Sequence, residues 1–121
     1  MSIELIELAK QYHKSLVEYY ESEDFGTICL DASRELRDLL IRNGIVKSRI
    51  VMGTFELDEP IVDYEENIEV IRPLHYWVEV DKKILDVTAK QFQNFVYEEI
   101  PDIIYGDYSE LPRYHKKRIW K

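Results

Sequence analysis

Residues 75–92 read HYWVEVDKKILDVTAKQF, and the fold turns on how this stretch pairs with itself. Two runs rich in β-branched and aromatic residues, 75–80 and 84–88, flank the polar triplet Asp81-Lys82-Lys83. That is the pattern of a β-hairpin. Alternation puts His75, Trp77 and Glu79 on one face of the first arm, with Tyr76, Val78 and Val80 on the other. A turn at Lys82-Lys83 sets Glu79 opposite Asp86, and opposed residues share a face. Asp86 then lies on His75's side of the sheet. In that register it stands four residues along from the position facing His75, beyond hydrogen-bond reach. Twist, a bulge or another register has to close the gap.

Upstream, the period is helical. Leu5, Leu8, Ala9, Tyr12, Leu16, Tyr19 and Tyr20 recur at three- and four-residue steps, which predicts a helix over 3–21 with Ser2 as its N-cap. ESEDFGT breaks that pattern. A second helix is expected over 28–43, capped by Thr27, with Cys29, Ala32, Leu36, Leu39 and Leu40 on its inner stripe. Asn43-Gly44 ends it, because glycine accepts the left-handed conformation that closes many helices. After Gly44 the period changes. IVKSRIVMGTFEL reads as a strand bent near Gly53, DEPIVDYEEN as an acidic loop, and IEVIRPLHYWVEV as a second strand region with an irregular start at Pro73. Residues 89–95 suggest a helical turn, and IPDIIYGDYSELPRY a short strand and a wrapping coil. Helices first and strands later predict an α+β domain with an antiparallel sheet, one domain over the 121 residues.

The chain carries 24 acidic and 16 basic side chains, a net charge of −8. That argues against general attraction to nucleic acid or anionic lipid. The last nine residues, RYHKKRIWK, hold five Lys/Arg and no acid, which leaves a balance of −13 for the rest. This tail is expected to pair with its own acidic body or to take an acidic partner, and to stand apart from any active site. The single cysteine rules out an internal disulfide and fits a reducing compartment. With no signal-like or membrane-length apolar run, a cytoplasmic location is the expectation. Nothing in the sequence calls for a metal or organic cofactor.

Cys29 sits in the first turn of its predicted helix. A helix N-terminus favours a thiolate through its partial positive charge and free N–H groups, and the same groups can hold an oxyanion. Read alone, a free cysteine such as Cys29 is ordinarily a small buried apolar residue. A strand histidine beside aromatics is ordinarily structural. As a base it needs a nucleophile on one side and an orienting acceptor on the other, and Cys29 and Asp86 are the residues that offer those roles. Trp77, mainly by packing, Glu79 and Gln91, as a donor near Asp86, are candidates for shaping the site. His13 and His115 read as surface or helix-stripe histidines.

Taken together, GTICLDASRELRDLLIRNGIVKSRIVMG, HYWVEV and LDVT resemble the transglutaminase-like superfamily. Its pattern runs glycine, cysteine, a leucine-rich helix, a strand, His-x-Trp-x-Glu-Val and Asp-Pro-Thr. The resemblance covers residues 26–92. Val87 stands where the family has proline, the hairpin is short, and the chain is smaller than most members. The resemblance implies a papain-like α+β core with Cys29 as nucleophile, His75 as general base and acid, and Asp86 as orienter. It also implies a cysteine peptidase, amide hydrolase or acyl transferase acting on a peptide or protein; small bacterial relatives trim leader peptides in lasso-peptide maturation. The oxyanion would be held by the Cys29 N–H and a second donor, from Gln11, Tyr19 or Tyr20. No dedicated site for an acceptor amine is visible, which favours hydrolysis over transfer. The alternative is a non-catalytic module that keeps the fold and binds a protein partner.

Overall fold

The computed structural model describes residues 2–20 and 28–120, without the side chains of Ser2, Ile3 and Tyr20. The expected caps at Ser2 and Thr27, and the break at 21–27, lie outside the described residues. Helix α1 spans Ser2–Tyr20 and α2 Cys29–Arg42. The strands are β1 Ser48–Phe55, β2 Ile61–Asp63, β3 Ile68–Val70, β4 Leu74–Val80, β5 Lys83–Asp86, β6 Ile104–Gly106 and β7 Tyr114–Trp120. A 3-10 segment covers Ala89–Phe95. The class is α+β: a five-stranded antiparallel sheet in the order β6-β5-β4-β1-β7, plus a two-stranded β2-β3 hairpin.

Helix α2 stops where its sequence says it should. Asn43 takes the C-cap position and Gly44 has φ 88°, a conformation that costs a residue without Cβ little. Ile28 occupies the N-cap position and makes no side-chain cap. The inner stripes of both helices bury Leu5, Ala9, Leu36 and Leu40 against Val78, Val80, Leu85 and Val87. Tyr19 departs from its stripe and is exposed, whereas His13 is buried in the α1 stripe. The opposite face of the sheet packs Val51, Phe55, Trp77, Ile84 and Tyr114 under Phe92 of the 3-10 segment.

Three expectations are corrected. DEPIVDYEEN is not a loop. Its Ile61–Asp63 pairs with Ile68–Val70 as a hairpin, and Asn67 supplies a left-handed turn residue with φ 55°. The wrapping coil expected over IPDIIYGDYSELPRY gives way at Tyr114, where the basic tail enters the sheet. That tail forms β7 beside β1, with a register shift between Met52 and Gly53. The β4–β5 turn is Asp81-Lys82, both at positive φ (51° and 70°), so Val80 pairs with Lys83 and Glu79 with Ile84. Two consecutive left-handed residues define the tight turn that matches strand twist.

Candidate active site

That turn decides the site. One further step in its register sets Asp86 opposite Trp77, a neighbour of His75 on the same face. Asp86 thus moves two residues closer than a Lys82-Lys83 turn would place it. A shift of two keeps every side chain on its face, and the diagonal separation falls within reach of a histidine. His75 Nε2 and Asp86 Oδ2 are 2.7 Å apart, both buried.

The rest of the carboxylate is fully engaged. Thr88 donates its backbone N–H at 3.0 Å and its hydroxyl at 3.2 Å to Oδ1. The Tyr114 hydroxyl donates to Oδ2 at 2.6 Å. Tyr114 opens β7, so the tail reaches the candidate site, contrary to the expectation that it stands apart. The imidazole is walled by Phe55, Phe92, Trp77 and Tyr114 rings.

Cys29 meets the other side of the ring. Its sulfur is hydrogen-bonded to His75 and to the backbone N–H of Tyr76. Since Nε2 is committed to Asp86, Nδ1 is left for the thiol, with the Gln91 amide nitrogen 3.4 Å from that same atom. Gln91 therefore lies against His75 rather than Asp86. Strand β5 ends at Asp86, which leaves β4 unpaired beyond Trp77 on that side. The Tyr76 N–H is given to sulfur instead of to a strand. In this way α2, which packs on one face, delivers its first residue to a histidine that faces the other.

The charges reinforce one another. Burial alone would push the His75 pKa down, but the Asp86 carboxylate, and then Cys29, hold it up to about 9. Burial pushes the Asp86 carboxyl up, and the His75 charge, Tyr114 and Thr88 outweigh it, leaving it below the usual carboxylate value. Burial likewise pushes the Cys29 thiol up; the bond and charge of His75 and the Tyr76 N–H outweigh that and the opposing Asp86, so its pKa is lowered. A lowered thiol beside a raised imidazole is the direction of shift that favours a thiolate–imidazolium pair.

The remaining candidates fall elsewhere. Trp77 is fully buried and donates its indole N–H to the Tyr108 hydroxyl at 3.0 Å. Glu79, also buried, accepts from Arg49 at 2.7 Å, Tyr108 at 2.6 Å and Lys116 at 2.9 Å. It fastens β1, β4 and β7 rather than touching Cys29 or His75. His115 reaches Glu56 at 3.0 Å. Gln11 and Tyr19 are exposed on α1, and the Tyr20 side chain lies outside the described residues. Tyr114 and Thr88 were missed. An aromatic inside a basic tail carries no signal of its own, whereas Thr88 could have been found as the residue two beyond Asp86, placed to bond an Asp side chain through its N–H. A cleft of about 560 Å³ behind Tyr114, floored by Ile100, Ile104 and Leu111, includes none of the three central residues.

No protein-family model matches the chain, and neither a curated protein nor a solved structure matches it. No helix among the described residues is long and apolar enough to cross a membrane.

Proposed function

We propose that this chain is a cysteine-dependent hydrolase of the transglutaminase-like, papain-like kind, acting on an amide or thioester of a peptide or protein. One observation carries the reading: a buried imidazole with Asp86 on one nitrogen and Cys29 at the other. In the resting state His75 holds the proton of Cys29. The thiolate attacks the carbonyl carbon and forms a C–S bond, and the negative charge moves to the carbonyl oxygen. The Cys29 N–H, in the first turn of a helix whose N-cap residue Ile28 makes no side-chain cap, is placed to receive it. Collapse breaks the bond to the leaving amine or thiol, which takes the proton from His75. Water then attacks the thioester while His75 accepts its proton, and Cys29 departs as thiolate. Asp86 keeps the imidazole in one orientation and favours its charged form. Peptidase activity toward a leader-like segment is the form the family resemblance favours, and this mechanism needs no metal or organic cofactor.

The test is p-nitrophenyl acetate in excess over the chain, followed through the pre-steady state. The expected result is a burst of p-nitrophenolate stoichiometric with the chain and an acetyl group on Cys29 by peptide mass spectrometry, both lost in His75→Ala. A wild-type protein that neither bursts nor carries the adduct would overturn the reading.

A further inference from the structure

The helices do not cover the whole of their face of the sheet. Helix α2 packs on β4 and β1. Toward β7 the same face carries Met52, Tyr76 and Trp120, all half-buried, with Leu74 and Arg118 exposed. Register places them side by side: Met52 pairs with Tyr76 across β1–β4 and with Arg118 across β1–β7. The Tyr76 and Trp120 rings meet edge to face with centroids 5.3 Å apart, and the Arg118 guanidinium lies 5.2 Å over the Trp120 ring. This platform runs directly to the nucleophile, because the N–H of Tyr76 is bonded to the Cys29 sulfur.

Its charge is the reverse of the rest of the molecule. Arg118 has no carboxylate partner among the described residues. Glu56, four residues beyond Met52, is already held by Arg72 at 2.9 Å and His115 at 3.0 Å. Outside residues 113–121 the chain carries 24 acids against 11 bases, so an acidic segment is repelled by most of the surface and steered to β7. Half-exposed aromatic rings beside a guanidinium with no carboxylate partner among the described residues suit an aryl or aliphatic side chain with a carboxylate next to it. By contrast, the β2–β3 hairpin is acidic, and nothing shown in the structure joins it to the Cys29 sulfur.

We infer that the face formed by Met52, Tyr76, Trp120 and Arg118 is the docking platform for the substrate, and that it takes an extended segment pairing an apolar or aromatic residue with an acidic one. The inference rests on the proposed cysteine chemistry and names its substrate class.

The test uses affinity alkylation of Cys29, in which sulfur forms a bond to the probe's methylene and iodide leaves. Three probes are compared on the full chain: iodoacetamide, 4-(iodoacetamido)benzoate, and the corresponding aryl probe bearing an aminomethyl group. Each aryl rate is divided by the same protein's iodoacetamide rate. The benzoate ratio should exceed the aminomethyl ratio by about tenfold at low salt and shrink as ionic strength rises. Arg118→Glu, an exposed substitution compatible with the fold, should abolish or invert that preference. Trp120→Ala should bring both aryl ratios toward that of iodoacetamide. Equal aryl ratios in the wild type, a faster cationic probe, or a preference untouched by Arg118→Glu would overturn the platform. The iodoacetamide rate alone reports whether Cys29 is activated. A failure of the catalytic reading therefore shows in that rate, and a failure of the platform in the ratios.

Discussion

Asp86→Asn removes one charge and almost no volume, which makes it the sharpest perturbation of the candidate site. The His75 pKa stands at about 9 against 6.5 for the free side chain. At 1.36 kcal/mol per unit that difference is worth about 3 kcal/mol. The charge and hydrogen bond of Asp86 lead the causes that raise it, while burial acts downward throughout. Without the carboxylate the imidazole should fall to or below its free value. The thiolate–imidazolium pair then loses most of that about 3 kcal/mol. Part returns, because the same carboxylate opposes ionisation of Cys29. The net expectation is a drop of about tenfold to a hundredfold in the rate of iodoacetamide labelling near neutral pH, or roughly 1.4–2.7 kcal/mol. His75→Ala should fall at least as far. Leu85→Ala is the control. Its side chain lies on the helix face, so it should cost about 2–5 kcal/mol of stability without moving the labelling profile. The assay is labelling rate against pH, read by mass spectrometry, on proteins first shown to be folded. If wild-type Cys29 titrates near the free-thiol value of about 8.5 and the Asp86→Asn profile lies on top of it, the coupling is absent. The triad reasoning then fails, and a non-catalytic binding module takes its place.

Tyr114→Phe removes a 2.6 Å bond to a buried carboxylate. It should cost about 1.5–3 kcal/mol in urea unfolding and, by leaving more charge on Asp86, move the His75 limb of the labelling profile upward; an unmoved limb would mean the tail does not act on the site. Gly53→Ala should destabilise by at least about 1–3 kcal/mol, since its Cβ would run into the His115 carbonyl and come 2.5 Å from the Trp77 ring; a neutral variant would show that the β1–β7 bulge is not where it is described. Stability should also follow pH. The raised pKa of His75 means that its contribution is complete below about 6.5 and is lost as pH climbs to about 9. Cys29, whose pKa is lowered, gains over the upper part of that range and compensates. Cys29→Ala removes the compensation, so its unfolding free energy should fall between about pH 6.5 and pH 9; a flat or rising curve would refute a charged, buried His75.

The period change after Gly44, both helices and the 3-10 segment were legible because each is written in local spacing. Three features were not. The β2–β3 hairpin is hidden because its strands are only three residues long, acids take four of the ten positions from Ile61 to Val70, and its turn residue is asparagine without glycine. Strand β7 is masked by five basic residues in nine and by the bulge opposite Met52 and Gly53, which breaks alternation where a reader would look for it. Tyr114 is brought to Asp86 by chain order in the sheet, with β7 returning beside β1, and no spacing in the sequence encodes that. The face shared by His75 and Asp86 was readable, because parity survives any even shift of register. Their 2.7 Å separation was not, because parity says nothing about distance.

The distance depends instead on two φ angles. Asp81 and Lys82 sit at 51° and 70°, where a side chain with Cβ costs about 1–2 kcal/mol. No glycine announces this turn, so sequence alone leaves Asp81-Lys82 and Lys82-Lys83 as equal choices. Only the former brings Asp86 level with Trp77 and ends β5 early enough to free the Tyr76 N–H for sulfur. Asp81→Gly tests that dependence directly, because Asp81 is left-handed in the former turn and extended in the latter. Glycine relieves the left-handed conformation, while its freer unfolded chain returns about 0.4–1 kcal/mol. The net expectation is a gain of roughly 0.5–1 kcal/mol in urea unfolding, with the Cys29 labelling profile retained because the register is retained. Should Asp81→Gly instead destabilise by a similar amount, Asp81 is not left-handed and the turn is one residue further on. Asp86 would then lie four residues from the position facing His75, and the hydrogen bond that holds the candidate site together could not form.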